Sequence, residues 1–381
     1  MDFSLTEEQK MLVQSAEQFA KKDSPLTRFR RLRAGETGWE KALWRKMGEL
    51  GWLGIPFPES TGGFGGGLLE AGLVIQELGR ALVPEPYLAS VILSGMALAE
   101  SGSKALQDKY LAPMIEGKIS LALAYAEKES RFFPNVVATR AEAQGFEFIL
   151  TGEKTWVLNG HAADALIVAA RTSGKVEDEG GITLFVVDAS AKGLLRKGVA
   201  THDGSHVGLV RLKGVSVSKD AAVGEVGKGL SILERALDRG AAMACCEGLG
   251  IIRECLSRTV DYLKVRQQFG VPIGSFQALQ HRAADMFIEA QLAHSMAILA
   301  SLKGADESDT ERRRAVSAAK VQLAQSGWYV VRQAIQLHGG IGCTDEQDVG
   351  LFFKRMVVLN HLFGDEDYHL QRYSSLPGFE G

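Results

Sequence analysis

The sequence has few cysteines and no large excess of charge of either sign. Four of its 381 residues are cysteine, Cys245, Cys246, Cys255 and Cys343, and their spacing matches neither a metal-ligand motif nor a secreted disulfide framework. We therefore expect core cysteines in a reducing compartment. The formal net charge of -3 provides no large cationic field, which argues against nucleic acid or anionic lipid as a partner.

The sequence also lacks a long apolar run. No segment approaches the roughly 20 apolar residues that span a membrane. The N-terminus reads MDFSLTEEQK, which is acidic where a signal peptide needs a basic region. We expect no membrane partner and a cytoplasmic location. The 46% hydrophobic and 23% charged residues are typical of a folded protein with two or three domains.

Helical patterns at both ends of the chain enclose a region of short apolar runs. Thr6 and Gln9 match a capping box and predict an opening helix. From about residue 120 the runs LALAYA, FEFILTG, TWVLNG, ALIVAAR, ITLFVVDA and LVRLKGV predict strands. After Val223 the helical period returns and predicts a bundle of three or four long helices. We predict an α-helical domain at 1–118, a β domain at 119–222 and a helical bundle at 223–381.

Three further features receive a structural interpretation. The glycine-rich stretch Gly62–Gly67 lies between helical patterns and not after a strand, so we interpret it as a turn and not as a phosphate-binding loop. His161, His202 and His206 have no metal-ligand spacing, and we predict no metal site. The stretch 305–314 is the one polar, linker-like segment.

Three motifs carry a family resemblance. They are YLKVRQQFGVPIGSFQALQHRAADM at 262–286, QLHGGIGCTDE at 336–346 and GEKTWVLNG at 152–160. In this order they resemble the acyl-CoA dehydrogenase superfamily. The resemblance implies an α+β multidomain fold with an N-terminal helical domain, a central β-barrel-like domain and a C-terminal four-helix bundle. It also implies FAD as cofactor, dehydrogenation of an acyl-CoA between Cα and Cβ, and electron transfer to an electron-transfer flavoprotein.

The motifs supply the groups that a flavin dinucleotide needs. Arg266 can pair with its pyrophosphate, and Phe269 can form an aromatic wall. Gly339 and Gly340 allow close backbone approach, and Gln336 offers an amide. Taken alone, these features would be a surface cation and a turn at a helix C-terminus. By resemblance, the remaining cofactor residues are Trp156, Val157 and Leu158 beside the isoalloxazine, with Tyr125, Gln268 and Gln277.

The base for the α-proton is the point of departure from the family. The usual glutamate is absent, and its place falls at Gly364 or Asp365. The alternative helical position falls at Gly240. Asp365 is the candidate base, because nitroalkane oxidases of the same superfamily use an aspartate there. The other interpretation is a solvated acidic turn.

The C-terminal part resembles two heteromeric systems. GDEDYHLQRY, PIGSFQALQHRAADMF and RRRAVSAAKVQ are similar to the small subunit of pimeloyl-CoA dehydrogenases and to subunits of steroid side-chain acyl-CoA dehydrogenases. This implies a homo- or hetero-oligomer, with a tetramer expected. Arg131 is the candidate contact for an acidic acyl end or a CoA phosphate. Two alternatives remain open: a non-catalytic subunit that completes a neighbour's FAD site, and a flavin oxidase or monooxygenase on the same fold.

Overall fold

The computed structural model describes residues 5–378. Its α-helices are α1 Glu7–Lys22, α2 Leu26–Leu32, α3 Lys41–Glu49, α4 Leu68–Arg80, α5 Met96–Ala99, α6 Lys104–Leu106, α7 Ala112–Ile115, α8 Leu230–Val265, α9 Gln277–Lys303, α10 Asp309–His338, α11 Val349–His361 and α12 Glu366–Ser374. Its strands are β1 Leu121–Ala124, β2 Arg140–Gln144, β3 Glu147–Leu158, β4 Ala165–Arg171, β5 Ile182–Asp188, β6 Leu194–Ala200, β7 His206–Ser218, β8 Ala222–Val223, β9 Gln267–Gln268 and β10 Val271–Pro272. The predicted fold class, helices then a β domain then a helical bundle, is confirmed.

The helix start predicted from Thr6 and Gln9 is confirmed. Thr6 Oγ1 accepts a hydrogen bond from the Gln9 amide at 3.2 Å, and Gln9 Oε1 accepts one from the Thr6 amide at 3.0 Å. The Gly62–Gly67 stretch joins a short 3₁₀ turn, Glu59–Thr61, to α4. It is therefore a turn between helices, as predicted.

Eight strands form one sheet in the order β6-β7-β3-β2-β4-β5-β8, with β1 added beside β4 in parallel. The runs FEFILTG and TWVLNG were predicted as two strands, but they form the single strand β3. The turn-like glycine Gly152 is a paired residue of β3, opposite Leu212 of β7, and a bulge interrupts the strand farther along, between Lys154 and Val157. The sequence prediction missed β2 and β6 because both strands are exposed along most of their length and lack the continuous apolar run by which the other strands were predicted.

The core of the sheet is formed by its apolar inner face. All seven residues of β4 are buried, and Phe148 of β3 contacts Phe185 of β5 with ring centroids 5.0 Å apart. Side chains from β3, β4, β5 and β7 join this cluster. Burial on this scale supplies the main favourable free energy of folding for the sheet.

Helices α9 and α10 pack against each other over much of their length. The expectation of a linker at 305–314 is wrong from Asp309 onward, because α10 begins there. Ser308 caps this helix through the Glu311 amide, and the buried Arg312 pairs with Asp309. Local capping therefore converts a polar segment into helix.

Helix α9 exposes an apolar stripe. Ile288, Leu292, Leu299 and Leu302 lie on it at helical spacing, and Phe287 adjoins them. Cys245, Cys246 and Cys255 are buried, as predicted, whereas Cys343 is exposed, because it lies in the turn after α10. Within residues 5–378, no helix is long and apolar enough to cross a membrane.

The chain divides into two compact units. One contains the chain up to Arg30, the segment Leu68–Val83 and the chain from Ala241 onward. The other contains Arg31–Gly67 and Pro84–Gly240, which includes the eight-stranded sheet. The domain boundaries drawn from the sequence, after residues 118 and 222, stay a prediction.

Candidate functional site

A tight hairpin follows the end of α8. Tyr262 and Arg266 lie one helical turn apart, and the Arg266 amide still bonds to the Tyr262 carbonyl at 2.9 Å. Strands β9 and β10 then pair through a turn in which Phe269 and Gly270 both have positive φ, 54° and 79°. Phe269 is 91% exposed. The hairpin thus presents this ring to solvent in the isolated chain.

A cavity of about 640 Å³ lies where the ends of α8 and α10 meet the start of α9. Five of the predicted cofactor residues line it: Arg266, Gln268, Gln336, Gly339 and Gly340. Its volume is in the range of small-ligand and cofactor sites. The other lining residues are Tyr262, Ile273, Ala278, Leu279, Arg282, Leu337, His338 and Ile341. Phe269 and Gln277 are not part of this lining.

The wall of the cavity suits an anion. Arg266 and Arg282 are its charged residues, and no carboxylate belongs to the lining that the described chain provides. Gly339 has φ of 68°, and a methyl group built on either Gly339 or Gly340 would meet no atom within 4 Å. Both backbones therefore face open space where a ligand can approach closely. These residues fit the pyrophosphate of a dinucleotide such as FAD.

A stacked pair of rings forms part of the cavity wall. The rings of Tyr262 and His338 lie 4.4 Å apart at 23°. Burial, with a smaller effect of Arg258, lowers the pKa of His338, which keeps its ring neutral at pH 7. A neutral ring stacks here without adding charge to the wall.

Trp156 lies on the sheet-containing unit, in the bulge of β3. Strand β3 pairs with Val210 and then with Gly208 of β7. Two residues of β3, Thr155 and Trp156, lie between these two pairs, whereas β7 has only one residue there. Trp156 has φ of 52°, an unusual value for a bulky residue. The bulge turns its indole outward, so that it is 60% exposed, while the next residue, Val157, is buried. A core aromatic would not be exposed in this way.

A buried ion pair holds the segment before β2 against β3. Lys154 is fully buried, and its Nζ lies 2.6 Å from Oε1 of Glu127 and 3.2 Å from the Tyr125 carbonyl. Glu127 also accepts from the amides of Ala138 and Thr139. Burial alone would raise the pKa of the Glu127 carboxyl, but the charge of Lys154 and these hydrogen bonds outweigh it and hold the pKa below its usual value.

Arg131 lies on an exposed part of the same segment. It has φ of 43°, and its guanidinium lies 6.0 Å from the centre of the Phe132 ring. Farther along, buried Arg171 donates to the carbonyls of Asn135, Val137 and Gly180 at 2.8 to 3.1 Å. The loop that displays Arg131 is therefore anchored downstream by one guanidinium.

Asp365 is the N-cap of α12. Its Oδ1 accepts from the Tyr368 amide at 2.9 Å, and the turn before it contains Phe363 and Gly364 with φ of 62° and 117°. The neighbouring Glu366 accepts from Gln325 at 2.8 Å. Both carboxylates are thus partly buried and accept local hydrogen bonds, whereas a solvated acidic turn would leave them exposed to water.

Two buried titratable side chains support this turn. Lys320 donates to the carbonyls of Leu359 and Leu362, both at 2.8 Å, at the end of α11. Burial lowers its pKa to about 8. His369 contacts the Phe363 carbonyl through Nε2 at 3.1 Å, and burial lowers its pKa to about 2. The sequence analysis predicted neither residue, because burial of a lysine or a histidine within a helix depends on distant contacts that leave no local pattern.

Within the described part of the chain, His161, His202 and His206 do not cluster with enough other candidate ligands to bind a metal ion. His161 and His206 have ring centroids 5.7 Å apart and are partly buried, and His202 is exposed. Among residues 5–378, no group of three or more His, Cys, Asp and Glu side chains could hold a metal ion.

Comparisons with known proteins give one consistent result. Family models described as acyl-CoA dehydrogenase N-terminal, middle and C-terminal domains match residues 6–118, 122–215 and 227–374. The probable acyl-CoA dehydrogenase YngJ of Bacillus subtilis is 32% identical, over 92% of each chain. Butyryl-CoA dehydrogenase from Megasphaera elsdenii aligns with TM-score 0.92 at 28% identity, over 98% of this chain and 99% of that one. A chain of the ChsE4-ChsE5 complex from Mycobacterium tuberculosis aligns with TM-score 0.87 at 28% identity, over 98% and 97%.

Proposed function

Because the chain belongs to the acyl-CoA dehydrogenase family, we propose that it binds FAD and removes hydrogen from Cα and Cβ of an acyl-CoA thioester. The observation that carries the proposal is the cationic cavity with two open glycines at the end of α10. The two motifs that line it, at 262–286 and 336–346, are among those whose resemblance to the family implied a flavin site.

In this proposal, Arg266 pairs with the pyrophosphate of FAD, and the amide of Gln336 and the backbone at Gly339 and Gly340 hydrogen-bond to the dinucleotide. Bound FAD supplies the acceptor for the hydride that leaves Cβ. Gln268, Phe269 and Gln277 are proposed as further contacts. The exposure of Phe269 suits a ring that meets the cofactor of a neighbouring subunit.

The sheet-containing unit contributes the proposed isoalloxazine contacts. Trp156 has an outward indole that can stack on a flavin ring, and the backbone at Val157 and Leu158 offers polar groups beside it. Tyr125 is proposed as a further contact. Its carbonyl is held by Lys154, which orders this segment without a ligand.

Asp365 is the proposed base for the α-proton. Its Oδ1 is bonded to the Tyr368 amide, which fixes the carboxylate direction and leaves Oδ2 for the substrate. Arg131 is proposed to meet an acidic acyl end or a CoA phosphate, because it is an exposed cation on a well-anchored loop. An electron-transfer flavoprotein is the proposed electron acceptor, and the cytoplasm the proposed location.

The second candidate is a subunit that completes a neighbour's FAD site and abstracts no proton. The observation that favours it is the engagement of both Asp365 and Glu366 in local hydrogen bonds, with Gly240 at the alternative base position. The similarity to a chain of the ChsE4-ChsE5 complex is in line with a two-chain assembly. The finer resemblance to small subunits of pimeloyl-CoA dehydrogenases stays a proposal.

The experiment is anaerobic addition of a panel of acyl-CoA esters to the purified chain, with the flavin absorbance recorded. Bleaching by a straight-chain, dicarboxylyl or ring-bearing ester supports an independent dehydrogenase. Flavin that stays oxidised with every ester supports the second candidate, and co-purification with a second family member should then restore bleaching. In a separate aerated sample, oxygen consumption that accompanies oxidation of a substrate other than an acyl-CoA ester would instead indicate an oxidase or monooxygenase.

A further inference from the structure

The segment that carries the two open glycines has little packing of its own. The glycine segment, residues 339–348, begins after α10 and ends at Asp348, the residue before α11. Gly339 and Gly340 have no Cβ, and nothing lies within 4 Å of where one would be. Within the segment, Gly342 is buried and Thr344 bonds to the Ile341 carbonyl, but most of the other residues are exposed. Contacts at the two ends therefore contribute strongly to its conformation.

Asp348 anchors the downstream end through two arginines. Its Oδ1 lies 2.7 Å from Nη2 of Arg30 on α2, and its Oδ2 lies 2.7 Å from Nη1 of Arg258 on α8. Both oxygens are thus used in charge-assisted hydrogen bonds to separate helices. Asp345 adds a longer contact, 3.6 Å, to Arg30.

One side of α8 and the residue after its end contact the glycine segment and the cavity. Arg258 and Tyr262 lie one turn apart on one side of α8, and Arg266, one residue past its end, continues the same spacing and bonds to the Tyr262 carbonyl. Arg258 holds Asp348, Tyr262 stacks on His338 just before the glycine segment, and Arg266 lines the cavity. Helix α8 therefore contacts both ends of the glycine segment, and the residue that follows the helix, Arg266, lines the cavity.

We propose that Asp348 is a positioning residue whose bridge between Arg30 and Arg258 sets the backbone of the glycine segment for the cofactor. Asp348 is not part of the cavity lining, so it acts through the backbone and not by contact with the ligand. The inference rests on the proposed function only for the identity of that ligand. The anchoring itself is a property of the chain without any ligand.

The test compares Asp348→Asn with Glu254→Gln in the full-length chain freed of flavin. Glu254 is the matched control, because it also pairs with Arg258, and with Arg80, but lies on α8 and not on the glycine segment. FAD is titrated into each variant, and quenching of its fluorescence gives Kd. We expect Asp348→Asn to raise Kd about tenfold, equivalent to about 1.4 kcal/mol. Glu254→Gln should leave Kd within about twofold.

Amide hydrogen exchange without FAD provides the second readout. Asp348→Asn should speed exchange within residues 339–348, and Glu254→Gln should not. Asp348→Glu, which keeps the charge, should recover part of both effects, and it replaces Asp348→Asn if that variant does not fold. Equal changes in the Asp348 variant and the Glu254 control, in either readout, would overturn the proposal. Failure of the unaltered chain to bind FAD defeats the proposed function alone, since the exchange comparison still decides the anchor.

Discussion

The fully buried Lys154 pairs with the partly buried Glu127, with 2.6 Å between Nζ and Oε1, two residues from Trp156. Lys154→Met should lower the free energy of unfolding by about 1–3 kcal/mol, because it leaves the partly buried Glu127 carboxylate without its cation. Urea unfolding measures the loss. Lys213→Met, an exposed change on β7, is the control, and an equal effect of both variants would contradict the prediction.

Substitution of Trp156 by alanine should weaken FAD binding with little effect on stability, whereas substitution of Trp52 should mainly reduce stability. Trp156→Ala should change the free energy of unfolding by less than about 1 kcal/mol, because the indole is largely exposed. It should raise the Kd of FAD about tenfold through lost stacking. Trp52→Ala, in the core of the same unit, should cost about 3–5 kcal/mol. Equal destabilisation by the two changes would return Trp156 to a structural role.

Gly340→Ala tests whether the open face of the glycine segment receives a ligand. The added methyl meets no atom of the chain, so the melting temperature should stay the same, whereas the Kd of FAD should rise at least tenfold through the lost close approach. Gly180→Ala is matched, because its added methyl also meets open space. The idea fails if both variants bind FAD as the unaltered chain does.

Asp365→Asn separates the proposed chemistry from the structural role. Asparagine caps a helix about as well as aspartate, so the stability should change by only a few tenths of a kcal/mol. Removal of the base should slow the ester-induced bleaching of flavin by at least about a hundredfold. Glu366→Gln is the control and should bleach at nearly the original rate. An unchanged rate in Asp365→Asn would move the base to another residue or to a partner chain.

His369 should contribute to acid instability. Its pKa is lowered to about 2 in the folded chain, by burial and then by the charges of Lys320 and Arg372, against an ordinary value of 6.5. The folded state therefore binds fewer protons than the unfolded state between these values, so this stabilisation is complete above pH 6.5 and declines as the pH falls toward 2. His369→Gln should reduce the loss of stability between pH 6 and pH 4 by about 1 kcal/mol per pH unit. Chemical unfolding at pH 4, 5 and 6 would show parallel curves if the prediction is wrong.

Local patterns were sufficient for much of the fold. The capping box at Thr6, the apolar runs of β4 and β5 and the helical periods after Val223 are short-range signals, and each formed as predicted. The bulge that turns Trp156 outward could not be predicted in this way, because it depends on the register of β3 against β7, which local sequence patterns do not determine. Strand β6 and the buried side chain of Lys320 depend in the same way on distant partners.

The residues of the cavity that belong to a recognisable sequence motif could be predicted. Arg266, Gln336, Gly339 and Gly340 were named from the two C-terminal motifs, and one cavity brings them together. The anchor at Asp348 was not foreseen, because its two arginines lie 90 and 318 positions away along the chain. Charge pairs of such separation leave no local pattern to read.

The apolar stripe of α9 affects how the isolated chain should be handled. Ile288, Leu292, Leu299 and Leu302 expose apolar side chains to water on one side of the helix. Expression without a companion chain should give a yield that depends on added detergent or low temperature. Melting temperatures should also rise with protein concentration, because any self-association at this stripe stabilises the folded state by mass action.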